Sequence, residues 1–167
     1  MTTANRTEQP TVIELPSFTV IGIKYEANLQ EIVESDIGKH AYRTVTGRKE
    51  EFERSSEHVH LVQIYPMKEN FNPHVDRFTQ IIGYEVSAGT APPEGLIVHV
   101  LPARQYVTVT HVGLESDLGR TYDLLYGQWT RENGRQPDGF DFEVWDERYK
   151  PDQEDNEIDV FVALKPE

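Results

Sequence analysis

The sequence predicts an α+β fold built from two similar strand–helix–strand–strand units. Three observations predict it. Short runs rich in Val, Ile, Tyr and Phe, several of them alternating, recur in both halves of the chain. Each half also holds one stretch with apolar residues at helical spacing, placed after its first strand. The order of these segments repeats although the residues themselves hardly do. Two such units, each with its helix on one sheet face, give an α+β domain with a cleft where the halves meet. A length of 167 residues suits one domain, and 37% hydrophobic residues suffice for a core.

Residues 1–10 read as a flexible polar tail and 11–167 as a single domain. Its first unit runs from about 17 to 90 and its second from about 102 to 164. In the first unit, residues 17–23 are the opening strand, with Pro16 at its start. Leu29, Ile32 and Val33 form a short separate turn. Ile37, Ala41, Val45 and Phe52 then fall on one helical face, with Ser35 as N-cap and Gly47 as a weak point. Residues 59–65 and 78–86 are strands separated by a loop. Residues 88–95, with two prolines and two glycines, make the best internal linker, and 96–101 a short strand.

The second unit repeats the order. Residues 104–112 alternate as a strand. Ser116 is placed to cap a helix whose stripe is Leu118, Tyr122, Leu125, Tyr126 and Trp129, and Gly134 is placed to stop it. Residues 140–146 and 157–164 are the last two strands, joined by an acidic, proline-containing loop.

Composition excludes several functions. Sixteen basic against 29 acidic residues leave a net charge of −13. Such a chain lacks the lysine and arginine surplus that phosphate neutralisation demands, so direct nucleic-acid binding is not expected, nor is attraction to an anionic membrane. There is no cysteine, hence no disulfide, thiolate metal site or cysteine nucleophile. No secretory leader is visible and no run has membrane length, so the expected location is cytoplasmic. No metal or cofactor is expected: His58 and His60 share a strand face without an evident third ligand, and the acidic loop at 152–157 lacks a calcium-loop glycine.

The segment Phe140-Asp141-Phe142-Glu143-Val144-Trp145-Asp146 carries the chemistry. On a strand, Glu143 and Trp145 share one face while Phe142 and Val144 share the other. A carboxylate held beside an indole in a partly dry cleft is costly when unpaired. A cationic ligand relieves that cost, and surrounding rings add about 0.5–2 kcal/mol. A solvated outer strand face is the plainer alternative for Glu143.

Ordered fragments of the chain resemble the GyrI-like effector-binding family, also described as the AraC-type or BmrR-like ligand-binding domain. Phe18-Thr19-Val20-Ile21-Gly22-Ile23 resembles its opening strand, and Ile82-Gly83-Tyr84-Glu85-Val86 its glycine-containing segment. Leu101-Pro102-Ala103-Arg104-Gln105-Tyr106 resembles a proline-to-tyrosine motif. His111-Val112-Gly113, Thr121-Tyr122, Leu125-Tyr126 and Trp129 follow in the family's order. Asp141-Phe142-Glu143 and Ile158-Asp159-Val160-Phe161-Val162 complete it. The resemblance implies a duplicated fold whose pocket is lined by aromatics around a glutamate, which falls on Glu143. It places Tyr106 as a second candidate for ligand contact. Strand alternation adds Tyr84, Trp145 and Phe161, while the helical stripe gives Trp129 a core role.

The resemblance implies a stand-alone member that binds a small organic molecule, cationic or aromatic, for sensing, transcriptional regulation, multidrug binding or sequestration. Hydrolysis of strained, cyclopropane-bearing toxic compounds ranks second, with Glu143 as general base and Tyr106 orienting the substrate. Gyrase-inhibitor-like interaction with a protein partner ranks third.

Overall fold

The computed structural model describes residues 9–167. Of the tail expected at 1–10, residues 1–8 lie outside the described residues. In chain order the elements are β1 (Thr11–Leu15), β2 (Phe18–Ala27), α1 (Leu29–Glu34), α2 (Ile37–Gly47), β3 (Val59–Ile64), β4 (Phe78–Val86) and β5 (Ile97–Leu101). There follow β6 (Arg104–Val112), α3 (Leu118–Asp123), a π-helical segment Leu124–Trp129, α4 (Thr130–Asn133), β7 (Pro137–Trp145) and β8 (Glu157–Leu164). They form two compact units, Ser17–Pro102 and a second that combines residues 9–16 with Ala103–Glu167.

In the first unit the antiparallel strands lie in the order β3-β4-β2-β5. Asn28 opens α1 through a capping box: the Glu31 backbone N–H donates to Asn28 Oδ1 at 2.8 Å, and the Asn28 N–H donates to Glu31 Oε1 at 3.0 Å. Helix α2 buries Ala41 and Val45. The helical face expected to run on to Phe52 stops earlier, because α2 ends at Gly47. A 3₁₀ turn, Lys49–Glu51, then delivers Phe52, which is buried with its ring 6.1 Å from that of Tyr84. Ser35 closes α1 rather than capping α2 with a strong bond; its Oγ accepts from the Ile37 N–H at a long 3.4 Å. The segment read as a linker is the loop between β4 and β5, inside this unit.

The second unit orders its antiparallel strands β7-β8-β6-β1. The duplication is thus written in sheet order. In both units the first strand of the repeat lies beside the third, the third beside the second, and an extra edge strand flanks the first. The strand β1 was not foreseen; its five residues pair with Arg104–Thr108 across β6. Val107, Val109, Ile158, Val160, Val162 and Leu164 point to the helix side and close around Leu125, with Leu118, Tyr122, Tyr126 and Trp129 packed against them. The expected core role of Trp129 agrees with this packing. Gly134 ends the helix in the left-handed conformation (φ 61°), as its position predicted. Ser116 instead sits inside a 3₁₀ turn, Glu115–Asp117, and Asp117 stands at the start of α3 without a side-chain cap. Among the described residues, no helix is long and apolar enough to cross a membrane.

Candidate functional site

Strand register places the site residues. Glu143 pairs with Val160 and Asp141 with Val162, so both acids lie on the helix side of the second unit's sheet. A register shift between Pro137 and Asp141 precedes them. Gly139, at φ 88°, supplies within it a backbone conformation that side-chain-bearing residues rarely adopt. Asp141 is 0% and Glu143 3% exposed.

The helix supplies donors for both. The Tyr122 hydroxyl donates a short hydrogen bond to Glu143 Oε2, and the Tyr126 hydroxyl donates to Asp141 Oδ2 at 2.6 Å. The two phenol rings stack with centroids 6.2 Å apart. Trp145, two residues along the same strand face, donates its indole N–H to Glu143 Oε1 at 2.9 Å. That indole lies flat on Tyr149, 4.6 Å between centroids and 4° between planes. The Tyr149 hydroxyl in turn donates to Glu115 Oε2 at 2.7 Å. The backbone N–H of Glu115 donates to the Pro151 carbonyl at 2.9 Å, which ties the two loops around the site together.

Burial pushes the Glu143 carboxyl up to about 7 from its ordinary 4.5. The two hydrogen bonds pull the other way, and the charges of Asp141 and Glu115 add to the rise. The group is therefore an acid held near its ionisation point in an aromatic enclosure. Such a group gains most when a positive charge arrives.

The other predicted residues lie elsewhere. Tyr106 pairs with Ala163 and Phe161 with Phe142, a parity that puts both on the sheet face opposite Glu143. There Phe142 and Phe161 stack at 4.5 Å, and Tyr106 meets each edge-on. The Tyr106 hydroxyl is buried with no hydrogen-bond partner among the described residues, and burial pushes it up to about 12. Tyr84 belongs to the first unit, where it is buried against Phe52 with the Arg54 guanidinium 5.7 Å from its ring centre. The observed register keeps Glu143 and Trp145 on one face, as alternation expects, and puts Tyr106 and Phe161, both expected at the site, on the other.

Sequence reasoning missed Tyr122, Tyr126, Tyr149 and Asp141 as site residues. The signal for the first two was present: a buried tyrosine in an apolar stripe needs a partner for its hydroxyl, where leucine would not. The helix that carries them changes to π-helical geometry over Leu124–Trp129. Such bulges are frequent at functional sites.

Comparison with known proteins identifies the family and the fold. The family model of the GyrI-like small molecule binding domain matches residues 8–165. The transcriptional regulator BrlR of Pseudomonas aeruginosa is 26% identical over 155 residues, covering 92% of this chain and 54% of BrlR. The chain thus spans about half the length of that curated relative. The fold is shared with the EcmrR C-terminal domain (TM-score 0.66, 16% identity, 95% of this chain and 98% of that one). It is also shared with SAV2435, solved bound to tetraphenylphosphonium (TM-score 0.66, 12% identity, 94% of each chain). With its duplicated sheet order and a family match over nearly its whole length, the chain belongs to the GyrI-like small molecule binding domain family.

Proposed function

We propose that this domain binds lipophilic, aromatic organic cations as effectors, with Glu143 as the countercharge. The observation that carries the proposal is a carboxyl 3% exposed, hydrogen-bonded by Tyr122 and Trp145, with Tyr149 stacked on that indole, and held near its ionisation point. Ring faces attract cations, and a buried carboxylate without a cation is expensive. The net charge of −13 raises the local concentration of cations around the protein. SAV2435, which shares the fold, was solved with a cation of this class, and BrlR is a transcriptional regulator. Both support an effector-sensing role for this domain.

Tetraphenylphosphonium is the probe. It is expected to raise the melting temperature of the wild type and to leave Glu143→Gln unmoved. An equal rise in both would remove Glu143 from the site. A hydrolytic use of the same carboxyl draws on its raised ionisation point, which suits a general base. Steady turnover of a cyclopropane-bearing electrophile that is lost in Glu143→Gln would favour that use over binding alone.

A further inference from the structure

Asn156 is 0% exposed, and an amide so placed costs stability unless it is hydrogen-bonded. Both ends of it are bonded. Oδ1 accepts from the Lys150 backbone N–H at 2.6 Å, and Nδ2 donates to the Gly113 carbonyl at 2.9 Å. The Gly113 N–H donates back to the Asn156 carbonyl at 2.9 Å. One side chain thus ties two segments together. Lys150 follows Tyr149, and Gly113 lies two residues before Glu115. Tyr149 stacks on the indole that reaches Glu143, and its hydroxyl meets Glu115. The first unit shows that the fold itself demands no amide at this place. There β2 begins opposite Leu101, and β6 begins opposite Leu15, so Phe18 corresponds to Arg104 and Ala27 to Gly113. Through the β2–β4 and β6–β8 pairings, Phe78 corresponds to Asn156. Phe78 is buried among the rings of Tyr65 and Phe71. Carried on to β3 and β7, the same count sets Leu61 against Glu143. The unit that holds the acid holds the asparagine, and the unit with leucine in its place has phenylalanine.

We propose that Asn156 is a positioning residue of the cation site, acting through Tyr149: its buried amide holds the segments that set Tyr149, with Glu115 as acceptor for its hydroxyl, beside the Trp145–Glu143 pair. This deepens the proposal that Glu143 binds cations, and rests on it. Without the amide, the Lys150 N–H and the Gly113 carbonyl lose their partner, and both segments gain freedom. Tyr149 and Glu115 then have to be ordered when a ligand arrives, whereas in the wild type folding has already ordered them. Such preorganisation raises affinity without any contact between Asn156 and the ligand. Ordering the two released side chains again is expected to weaken tetraphenylphosphonium binding roughly tenfold.

Calorimetric titration with tetraphenylphosphonium, below the melting temperature of each variant, tests this. Asn156→Ala is expected to raise Kd about tenfold. Val45→Ala, which opens a cavity in the core of the first unit, is expected to lower the melting temperature and leave Kd unchanged. Tyr149→Ala removes the ring through which Asn156 acts. The double variant is therefore expected to bind no more weakly than Tyr149→Ala alone. The chain has two tryptophans, so a ¹⁵N-labelled sample gives two indole N–H signals, and Trp129→Phe assigns them. The Trp145 signal is expected to shift in Asn156→Ala and to stay in Val45→Ala. Where Asn156→Ala is too unstable to titrate, Asn156→Ser, too short to reach both partners, is expected to show the same signs. An Asn156 variant that melts earlier yet keeps the wild-type Kd, while Glu143→Gln abolishes binding, overturns the positioning role and leaves the reading of Glu143 standing. Losses that add in the double variant overturn it too, as does a wild-type Kd in Tyr149→Ala whatever the Asn156 variants do. Equal binding by the wild type and Glu143→Gln removes both the positioning role and the reading beneath it.

Discussion

The buried carboxyl of Glu143 costs the protein stability. Its folded-state carboxyl binds a proton more tightly than in the unfolded chain, near 7 against an ordinary 4.5. Its share of stability is therefore fully present below about pH 4.5 and is lost as pH rises through 7. The upper bound of that loss at pH 8 is ~3 kcal/mol. Glu143→Gln keeps one acceptor oxygen, for the Trp145 indole N–H, turns its NH2 toward the Tyr122 hydroxyl, which can accept, and carries no charge. It is expected to be more stable than the wild type to urea at pH 8 and no more stable at pH 5. A variant that gains stability while losing its response to organic cations is the signature of a site that trades one for the other. His60 acts in the opposite sense. Buried on β3, it is pushed down to about 4, so the folded state keeps it neutral. Its share of stability is present above about pH 6.5 and lost, by ~3 kcal/mol at most, as pH falls toward 4. In urea titrations across that window, His60→Phe is expected to flatten the loss. The pairing of Glu143 with Trp145 was legible from strand alternation alone. Tyr122, the partner of Glu143, and Tyr126, the partner of Asp141, were hidden in an apolar stripe, because a sequence does not say which stripe hydroxyl meets which acid. Tyr149 lies in a loop, where no periodicity applies.

At the scale of elements, strands were easier to read than helices. Residues 78–86, 104–112 and 157–164 are strands with the boundaries their alternation predicted. Three misses have physical causes. Pro16 breaks the apolar run at 11–22 into two strands, and the first, β1, pairs with β6, far away in sequence; no local pattern carries that information. Phe52 reaches the core after a 3₁₀ turn, so its match to a helical face was a coincidence of spacing. The helix at 118–133 changes geometry midway, whereas offsets of 4, 3, 1 and 3 fit an ordinary α-helix equally well. Two substitutions test this helix. Leu125→Ala, at a fully buried position in the π segment, is expected to cost about 2–5 kcal/mol. Gly134→Ala forces a side chain into the left-handed conformation and is expected to cost about 1–2 kcal/mol. Denaturant midpoints of the two variants check both.

For the whole molecule, the net charge of −13 and the buried carboxylate act over different distances. Surface charge draws cations near and is screened by salt, whereas a pair formed in a dry enclosure is screened far less. Raising sodium chloride from about 0.05 to 0.5 M, which shortens the screening length several-fold, is expected to weaken cation binding only modestly. Glu143→Gln is expected to abolish it at either salt concentration. Calorimetric titration in both buffers separates the two contributions. Family membership accounts for the duplicated architecture, and the proposed cation binding rests on one acid in the second unit.

The most direct measurement is a ¹³C titration of the Glu143 carboxyl, with and without tetraphenylphosphonium. The account predicts a midpoint near 7 in the free protein, moving down by about one unit or more when the cation is bound. A midpoint near 4.5, unchanged by the cation, would contradict it.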